Sequence, residues 1–254
     1  MSDRQGSHPP GVIQADWPAP ARVRAVTTLR LGGVSRAPFD TFNLGDHVTD
    51  DPAAVRINRA RLRTQLALPA EPQWLTQVHG TQVVDAATMV TQTPADGSFT
   101  REAGVVCAVL TADCLPVFLC DRGATCVAVV HAGWRGLATG VIERGVTAMG
   151  VPTGEVFAWL GPAIGPETFE VGDEVRQVFV DAQPAAHSAF RANAAGRFFA
   201  DLYALARLRL AAAGVTAVHG GGYCTYREGE RFFSYRRDGV TGRMASLIWL
   251  QPEV

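Results

Sequence analysis

The chain has 254 residues, of which 47% are hydrophobic and 19% charged, and its formal net charge at pH 7 is −1. This length allows a substantial core, and the near-neutral charge gives no field that would draw the protein to nucleic acid or to an anionic membrane surface. All 23 basic residues are arginines. The lack of lysine excludes Schiff-base chemistry, a lysine general base and a Walker-type phosphate loop.

The first 20 residues and the cysteines indicate the cellular compartment of the protein. Residues 1–20 are polar and rich in Pro and Gly, and we expect them to form a flexible leader before a single domain over 21–254. No run approaches the roughly 20 apolar residues that a membrane helix needs. Five cysteines without a C-x-x-C pair favour a reducing compartment over a disulfide framework. We therefore expect a cytoplasmic protein.

The first half of the chain predicts one helix among short strands. Residues 23–31 form an extended segment that ends at a Gly-Gly turn. Asp50-Asp51-Pro52 is typical of a helix start, and this helix should run to about Leu66. Short apolar runs separated by turn residues predict four strands, at 74–78, 105–110, 116–120 and 126–130.

The second half alternates helices and strands irregularly. Helical spacing of apolar residues begins at Leu137 and ends at Gly150. Further helices are predicted at 173–181 and 199–213, and further strands at 156–160, 215–219, 232–235 and 245–250. The order does not fit a repeated βαβ winding, and there is no internal repeat. The predicted fold is a single α+β domain with mixed β-sheets layered against helices.

Three residues that could ligate a metal or act as nucleophiles follow apolar, strand-like runs. They are His79, Cys114 and His131. Two imidazoles and a thiolate would make a zinc site with its fourth position open, as in catalytic zinc sites. The same residues could form a Cys–His nucleophile pair without metal. Their separations of 35 and 17 residues match no local metal-ligand spacing, so spacing leaves both alternatives open.

Several arginines and two glycine-containing runs are candidates for binding a substrate or phosphate. Arg135 begins the helix after His131, and Arg236 and Arg243 lie in one Gly-containing stretch. Guanidinium groups bind phosphate or carboxylate as a fork, although a solvated surface loop would look similar in sequence. The runs 161–165 and 220–222 predict turns that bring the backbone close to another group, and neither fits a dinucleotide fingerprint.

Taken together, the motifs resemble one family over about residues 22–250. In chain order they are Gly32-Gly33-Val34-Ser35, Asn43-Leu44-Gly45, Asn58-Arg59, Gln77-Val78-His79-Gly80, Thr111-Ala112-Asp113-Cys114, the stretch 131–136, the stretch 161–165, Cys224-Thr225 and the stretch 234–243. The chain is similar to the YfiH-like, laccase-domain family, long labelled multicopper polyphenol oxidase. Members are described as purine nucleoside phosphorylases with additional adenosine deaminase activity.

The resemblance implies a specific site. It implies an α+β fold shared with cysteine-hydrolase-like toxins and one zinc ion held by His79, Cys114 and His131, which would also be the catalytic residues. The implied substrates are phosphate with adenosine, inosine, guanosine or S-methyl-5′-thioadenosine. The residues proposed to bind substrate or phosphate are Asn43, Arg59, Arg135, Arg236 and Arg243.

Three alternatives are kept beside this interpretation. In a Cys–His hydrolase acting on an amide-linked peptidoglycan precursor, Cys114 would be the nucleophile and His131 the base. A copper-dependent polyphenol oxidase is disfavoured, because several coppers need many histidines and the chain has six. A non-catalytic binding protein is the third. The oligomeric state does not follow from the sequence.

Overall fold

The computed structural model describes residues 11–252. The strands in this part are β1 (Val12–Gln14), β2 (Val23–Thr28), β3 (Val83–Asp85), β4 (Gly97–Thr100), β5 (Val106–Thr111), β6 (Leu115–Asp121), β7 (Val127–Ala132), β8 (Val156–Leu160), β9 (Glu170–Val171), β10 (Phe190–Ala192), β11 (Phe198–Ala200), β12 (Ala217–Gly220) and β13 (Met244–Leu250). The α-helices are α1 (Pro52–Gln65), α2 (Trp134–Thr139), α3 (Val141–Met149), α4 (Asp173–Ala182), α5 (Leu202–Ala212) and α6 (Tyr235–Asp238). Short 3₁₀ helices cover Thr153–Glu155 and Pro184–Ala189.

The strands form two large sheets and a small one. One large sheet has the order β1-β2-β13-β5, and the other has the order β12-β8-β6-β7-β4-β3. The small sheet has the order β10-β11-β9. The six-stranded sheet is mixed, because β12 pairs with β8 and β3 pairs with β4 in parallel, whereas its other pairs are antiparallel.

The two large sheets lie face to face between layers of helices. Strands β5, β6 and β7 are buried at every position, as expected for strands covered on both faces. Alternate residues of β6 point to different layers: Phe118 and Cys120 join the cluster between the sheets, whereas Val117 and Leu119 join the cluster formed with α3 and α5. Helix α1 covers the outer face of the four-stranded sheet through Leu62. The predicted α+β class with mixed sheets against helices is confirmed.

Residues 74–78 were predicted to form a strand, and this prediction is wrong. This part of the chain makes only isolated bridges, at Gln73 and Thr76. The side chain of Gln77 takes the place of a strand ladder, because its amide donates to the Leu110 carbonyl (2.9 Å) and its oxygen accepts from the Leu110 N–H (2.7 Å). The loop before His79 is therefore anchored to β5 by a side chain.

The strand predicted at 232–235 is wrong as well. Phe232 and Phe233 are fully buried, which explains the apolar signal. The next residue, Ser234, caps α6, since its hydroxyl accepts a hydrogen bond from the Arg237 N–H at 3.2 Å. The chain thus begins a helix at the end of the segment that the apolar residues predicted to be a strand.

Two boundaries also differ from the prediction. The helix expected after His131 is interrupted at Gly140, whose φ of +102° ends α2 and precedes α3. Strand β1 lies inside the predicted leader and pairs with β2, so residues 12–14 belong to the sheet. The remainder of the leader expectation, for residues 1–10, lies outside the described residues. Within residues 11–252, no helix is both long enough and apolar enough to cross a membrane.

Candidate metal centre

The structure brings His79, Cys114 and His131 together at one end of the six-stranded sheet. Their potential ligand atoms all lie within 4.8 Å of one another, and the two imidazole rings meet edge to face with centroids 4.8 Å apart. Cys114 directly precedes β6, and His131 lies in β7 opposite Pro116. The strand pairing therefore places the thiol beside the imidazole. Within residues 11–252 no other group of three His, Cys, Asp or Glu residues is suitably placed for a metal.

The donor set fits a zinc ion. Zinc–nitrogen distances of about 2.0–2.1 Å and zinc–sulfur distances of about 2.3 Å put tetrahedral ligand atoms roughly 3–4 Å apart, which the observed spacing allows. Burial is graded across the site: His131 is buried, Cys114 is half-buried and His79 is exposed. The exposed side leaves a position open for a substrate.

Gly133 provides the room in which two of the candidate ligands meet. A Cβ atom at this position would lie 2.8 Å from His79 Nδ1 and 3.1 Å from Cys114 Sγ. The backbone of Gly133 has φ −63° and ψ 156°, which any residue can adopt. Glycine is therefore required here for space and not for backbone conformation.

This requirement gives a first prediction. We expect Gly133→Ala to weaken metal binding about 10-fold, because the new methyl group pushes His79 and Cys114 apart, and small displacements at a metal centre are costly. The matched control is Gly154→Ala, whose Cβ meets nothing within 4 Å. Competition with a chromophoric zinc chelator measures the affinities. Equal zinc affinity for the two variants would contradict the spatial role of Gly133.

Asp96 lies behind both histidines and was not identified from the sequence. Its carboxylate is fully buried and accepts a hydrogen bond from His131 Nδ1 at 2.9 Å. It also accepts from the backbone N–H groups of Val78 (3.2 Å), His79 (2.9 Å) and Gly80 (2.6 Å). In the sequence, Asp96 is one acidic residue beside a short strand and has no pattern that singles it out. The hydrogen bond to Asp96 leaves His131 Nε2 as the nitrogen available for a metal.

The two imidazoles have opposite electrostatic environments. Partial burial lowers the pKa of His79, and the positive charges of His131, Arg135 and Arg243 lower it further. Full burial alone would lower the pKa of His131, but the negative charge of Cys114 and the hydrogen bond to Asp96 raise it to about 9. Without a metal, the proton thus resides on the inner histidine.

Asp113 fixes the position of Cys114. It has the left-handed φ of +90°, which is uncommon for a residue other than glycine. Its side chain accepts hydrogen bonds from the hydroxyl of Thr225 and the backbone N–H of Arg236, both at 2.6 Å. Its carbonyl accepts from the N–H of Ile164 at 2.9 Å. Three motifs that are distant in sequence therefore converge on the residue before the thiol.

Two of the five candidate substrate-binding residues act electrostatically on the candidate metal ligands. Arg135 and Arg243 both act electrostatically on His79, and Arg243 also interacts with Cys114. The Arg135 guanidinium is exposed and lies over the ring of Trp134, 4.4 Å from its centroid. Arg243 is partly buried, and its Nη1 donates to two carbonyls of its own loop at 2.9 and 3.0 Å. These two residues give the site positive charge.

The side chains of the other three candidates contact neighbouring loops and strands and not the candidate metal ligands. Asn43 is fully buried, and its side-chain oxygen accepts from the Arg243 N–H at 2.9 Å. Arg59 pairs with Asp46 at 3.3 Å. Arg236 donates from Nη1 to a carbonyl of β9 at 2.7 Å. These contacts shape the loops around the site.

The glycine runs at 161–165 and 220–222 meet at a separate cavity. This cavity has a volume of about 640 Å³ and is lined in part by Gly165, Tyr203, Gly222 and Cys224. It includes none of the three metal-ligand candidates. Because the three residues suited to bind a metal lie outside this cavity, we take the site around His79, and not the cavity, as the reaction site.

Comparisons with known proteins identify the family of the chain. Residues 24–251 match the family described as multi-copper polyphenol oxidoreductase laccase. A purine nucleoside phosphorylase of Pseudomonas aeruginosa is 59% identical over 241 residues, covering 94% of this chain and 98% of the relative. The purine nucleoside phosphorylase YfiH of Escherichia coli is 50% identical over 240 residues, with coverage of 94% and 98%.

Solved structures show the same fold. A Neisseria meningitidis protein of the DUF152 family superposes with a TM-score of 0.92 at 53% identity, covering 95% of this chain and all of the other. YlmD from Geobacillus stearothermophilus superposes with a TM-score of 0.89 at 34% identity, covering 98% of both chains. On sequence and on structure, the chain belongs to the YfiH-like laccase-domain family.

Proposed function

We propose that the protein is a zinc-dependent purine nucleoside phosphorylase that also deaminates adenosine. The observation that carries this proposal is the open three-ligand set of His79, Cys114 and His131 with Arg135 and Arg243 beside it. The names of the relatives from Pseudomonas and Escherichia support the phosphorylase activity. The proposed substrates are phosphate and adenosine, inosine, guanosine or S-methyl-5′-thioadenosine.

The site residues suit phosphorolysis. In this reaction a phosphate oxygen bonds to the anomeric carbon of the ribose as the bond from that carbon to the purine nitrogen breaks. The products are the free base and ribose 1-phosphate, or 5-methylthioribose 1-phosphate when the substrate is S-methyl-5′-thioadenosine. Arg243 and Arg135 would hold the phosphate by charge-assisted hydrogen bonds and keep it close to the sugar. When bound, zinc supplies Lewis-acid polarisation and lowers the pKa of water, which suits deamination.

We propose zinc as the metal in spite of the copper in the family description. A multicopper site needs several sets of histidine ligands, whereas residues 11–252 contain one three-ligand group. The five cysteines are free thiols, three of them buried. Free thiols fit a reducing compartment, so we place the enzyme in the cytoplasm.

A Cys–His hydrolase is the second candidate. One observation favours it: the Cys114 thiol and a His131 ring nitrogen lie within 4.8 Å of each other, and Asp96 holds the imidazole through a 2.9 Å hydrogen bond. A thiolate bound to zinc is a poor nucleophile, so the metal content separates the two functions. Purified protein with about one zinc per chain and slow alkylation of Cys114 by iodoacetamide supports the phosphorylase. Metal-free protein with rapid alkylation supports the hydrolase.

A product assay tests the activity directly. The purified protein is incubated with adenosine, with and without phosphate, and the products are separated by chromatography. We expect adenine and ribose 1-phosphate only with phosphate, and inosine in both samples. If neither product forms, the nucleoside assignment is wrong. Inosine without any release of base would leave a deaminase and remove the phosphorylase.

A further inference from the structure

A single buried carboxylate serves both histidine ligands. Asp96 has no exposed surface, and its side chain accepts four hydrogen bonds. Three come from successive backbone N–H groups, and the fourth comes from an imidazole. A buried charge needs such a full set of donors, so the carboxylate and its donors hold one another in place.

The first consequence concerns the backbone of His79. Its φ is +59°, a left-handed conformation that residues other than glycine seldom adopt. In this conformation the N–H groups of Val78, His79 and Gly80 all point to Asp96, at 3.2, 2.9 and 2.6 Å. The carboxylate therefore selects the backbone turn that aims the His79 side chain at Cys114.

The second consequence concerns the ring of His131. Asp96 Oδ1 accepts from His131 Nδ1 at 2.9 Å, which fixes the tautomer and the ring orientation. The backbone of the two residues is joined as well, because the His131 N–H donates to the Asp96 carbonyl at 2.7 Å. The same Oδ1 atom receives the His79 N–H. One oxygen atom thus connects the two ligands.

We propose that Asp96 is the positioning residue that sets both histidine ligands together. Metal affinity and coordination geometry then depend on this one carboxylate, which touches neither substrate nor metal. The proposal rests on the metal centre of the proposed function. The proposal predicts that a change at Asp96 that weakens its hydrogen bonds to the His79 loop also alters the orientation of the His131 ring.

The test substitutes Asp96→Asn. The amide has nearly the same shape, but its nitrogen donates and would face backbone N–H groups that need an acceptor. We expect the affinity for zinc to fall about 10- to 100-fold, in line with other changes to groups that hold metal ligands. The d–d absorption bands of the cobalt-loaded protein should shift as well, because the ligand geometry changes.

Asp121→Asn is the matched control. Asp121 is also a buried carboxylate that accepts backbone N–H groups, those of Gly123, Thr125 and Cys126 at 3.1, 2.8 and 2.7 Å. It lies at the opposite end of β6 from Cys114. We expect this variant to lose stability but to keep the zinc affinity and the cobalt spectrum of the unsubstituted protein.

The outcomes separate the two proposals. The protein is stripped of metal, checked by circular dichroism, and titrated with zinc and cobalt. If Asp96→Asn keeps the affinity and the spectrum, Asp96 does not position the ligands, and the metal centre stands. If the unsubstituted protein binds no metal, the metal centre itself is wrong. Asp96→Glu carries the test if Asp96→Asn fails to fold: it keeps the charge, and an intermediate affinity with a shifted cobalt spectrum is expected.

Discussion

Replacing Cys114 with serine is expected to abolish stable zinc binding and nucleoside phosphorolysis while the protein stays folded. The thiolate is the softest of the three donors, and its loss leaves two imidazoles, one of them exposed. Removing a direct ligand should cost more than the about 10- to 100-fold that changes around a ligand cost. We therefore expect a loss on the order of 10³-fold in zinc affinity, and a loss of activity to match.

Cys224→Ala is the control for this substitution. Cys224 is a second half-buried thiol, but it faces the separate cavity and belongs to no metal-ligand group in residues 11–252. Zinc content by elemental analysis and rates of base release are measured on both variants. Zinc-loaded Cys114→Ser with normal rates would show that the thiol is not a ligand. Loss of activity with unchanged zinc content would instead make Cys114 a nucleophile.

The meeting of Cys114 with His131, two of the three candidate ligands, could be anticipated from the sequence for a simple reason. Cys114 and His131 lie where apolar runs begin and end, and antiparallel neighbours bring such ends to one edge of a sheet. Strands β6 and β7 are neighbours in the sequence, so two successive apolar runs separated by a turn already indicate that they pair. His79 comes from outside the sheet, and the family motifs indicated its role.

The roles of the residues that hold the candidate ligands in place could not be anticipated. Asp96, Gly133 and Asp113 act through hydrogen bonds or free space whose partners lie 16 to 123 residues away in the chain. No periodic pattern in the sequence indicates such partners, because each contact depends on a single polar atom or, at Gly133, on the absence of a side chain. The failed strand prediction at 74–78 has the same origin, since the Gln77 side chain replaces a backbone ladder.

The candidate phosphate ligands show the limit of motif matching. Asn43 and Arg59 belong to family motifs, yet the structure engages their polar groups in bonds within the loops around the site. A motif marks a residue that the site depends on, and a residue that shapes a loop gives the same signal as one that contacts a ligand. Only the neighbours of each side chain distinguish the two roles. Arg243 is the best phosphate candidate because its charge acts on both His79 and Cys114.

Arg243→Ala is accordingly expected to lower kcat/KM for phosphate about 10²- to 10³-fold. Burial lowers the pKa of Arg243, and the charges of Cys114 and Asp113 raise it, but a guanidinium stays charged at neutral pH. Among residues 11–252 only the Nη1 atom has protein partners, which leaves Nε and Nη2 as a fork for phosphate. Two charge-assisted hydrogen bonds of about 1.5–3 kcal/mol each account for a loss of this size.

The matched control is Arg236→Ala, which removes an arginine of the same stretch whose Nη1 donates to β9. Initial rates are measured against phosphate at saturating inosine and against inosine at saturating phosphate, and thermal unfolding verifies the fold. Arg243→Ala should raise KM for phosphate far more than KM for inosine, and Arg243→Lys should recover only part of the loss, because an ammonium cannot bind as a fork. Equal effects in Arg243→Ala and Arg236→Ala would show that Arg243 does not bind the phosphate. In that case Arg135, the other cation acting on His79, becomes the residue to test.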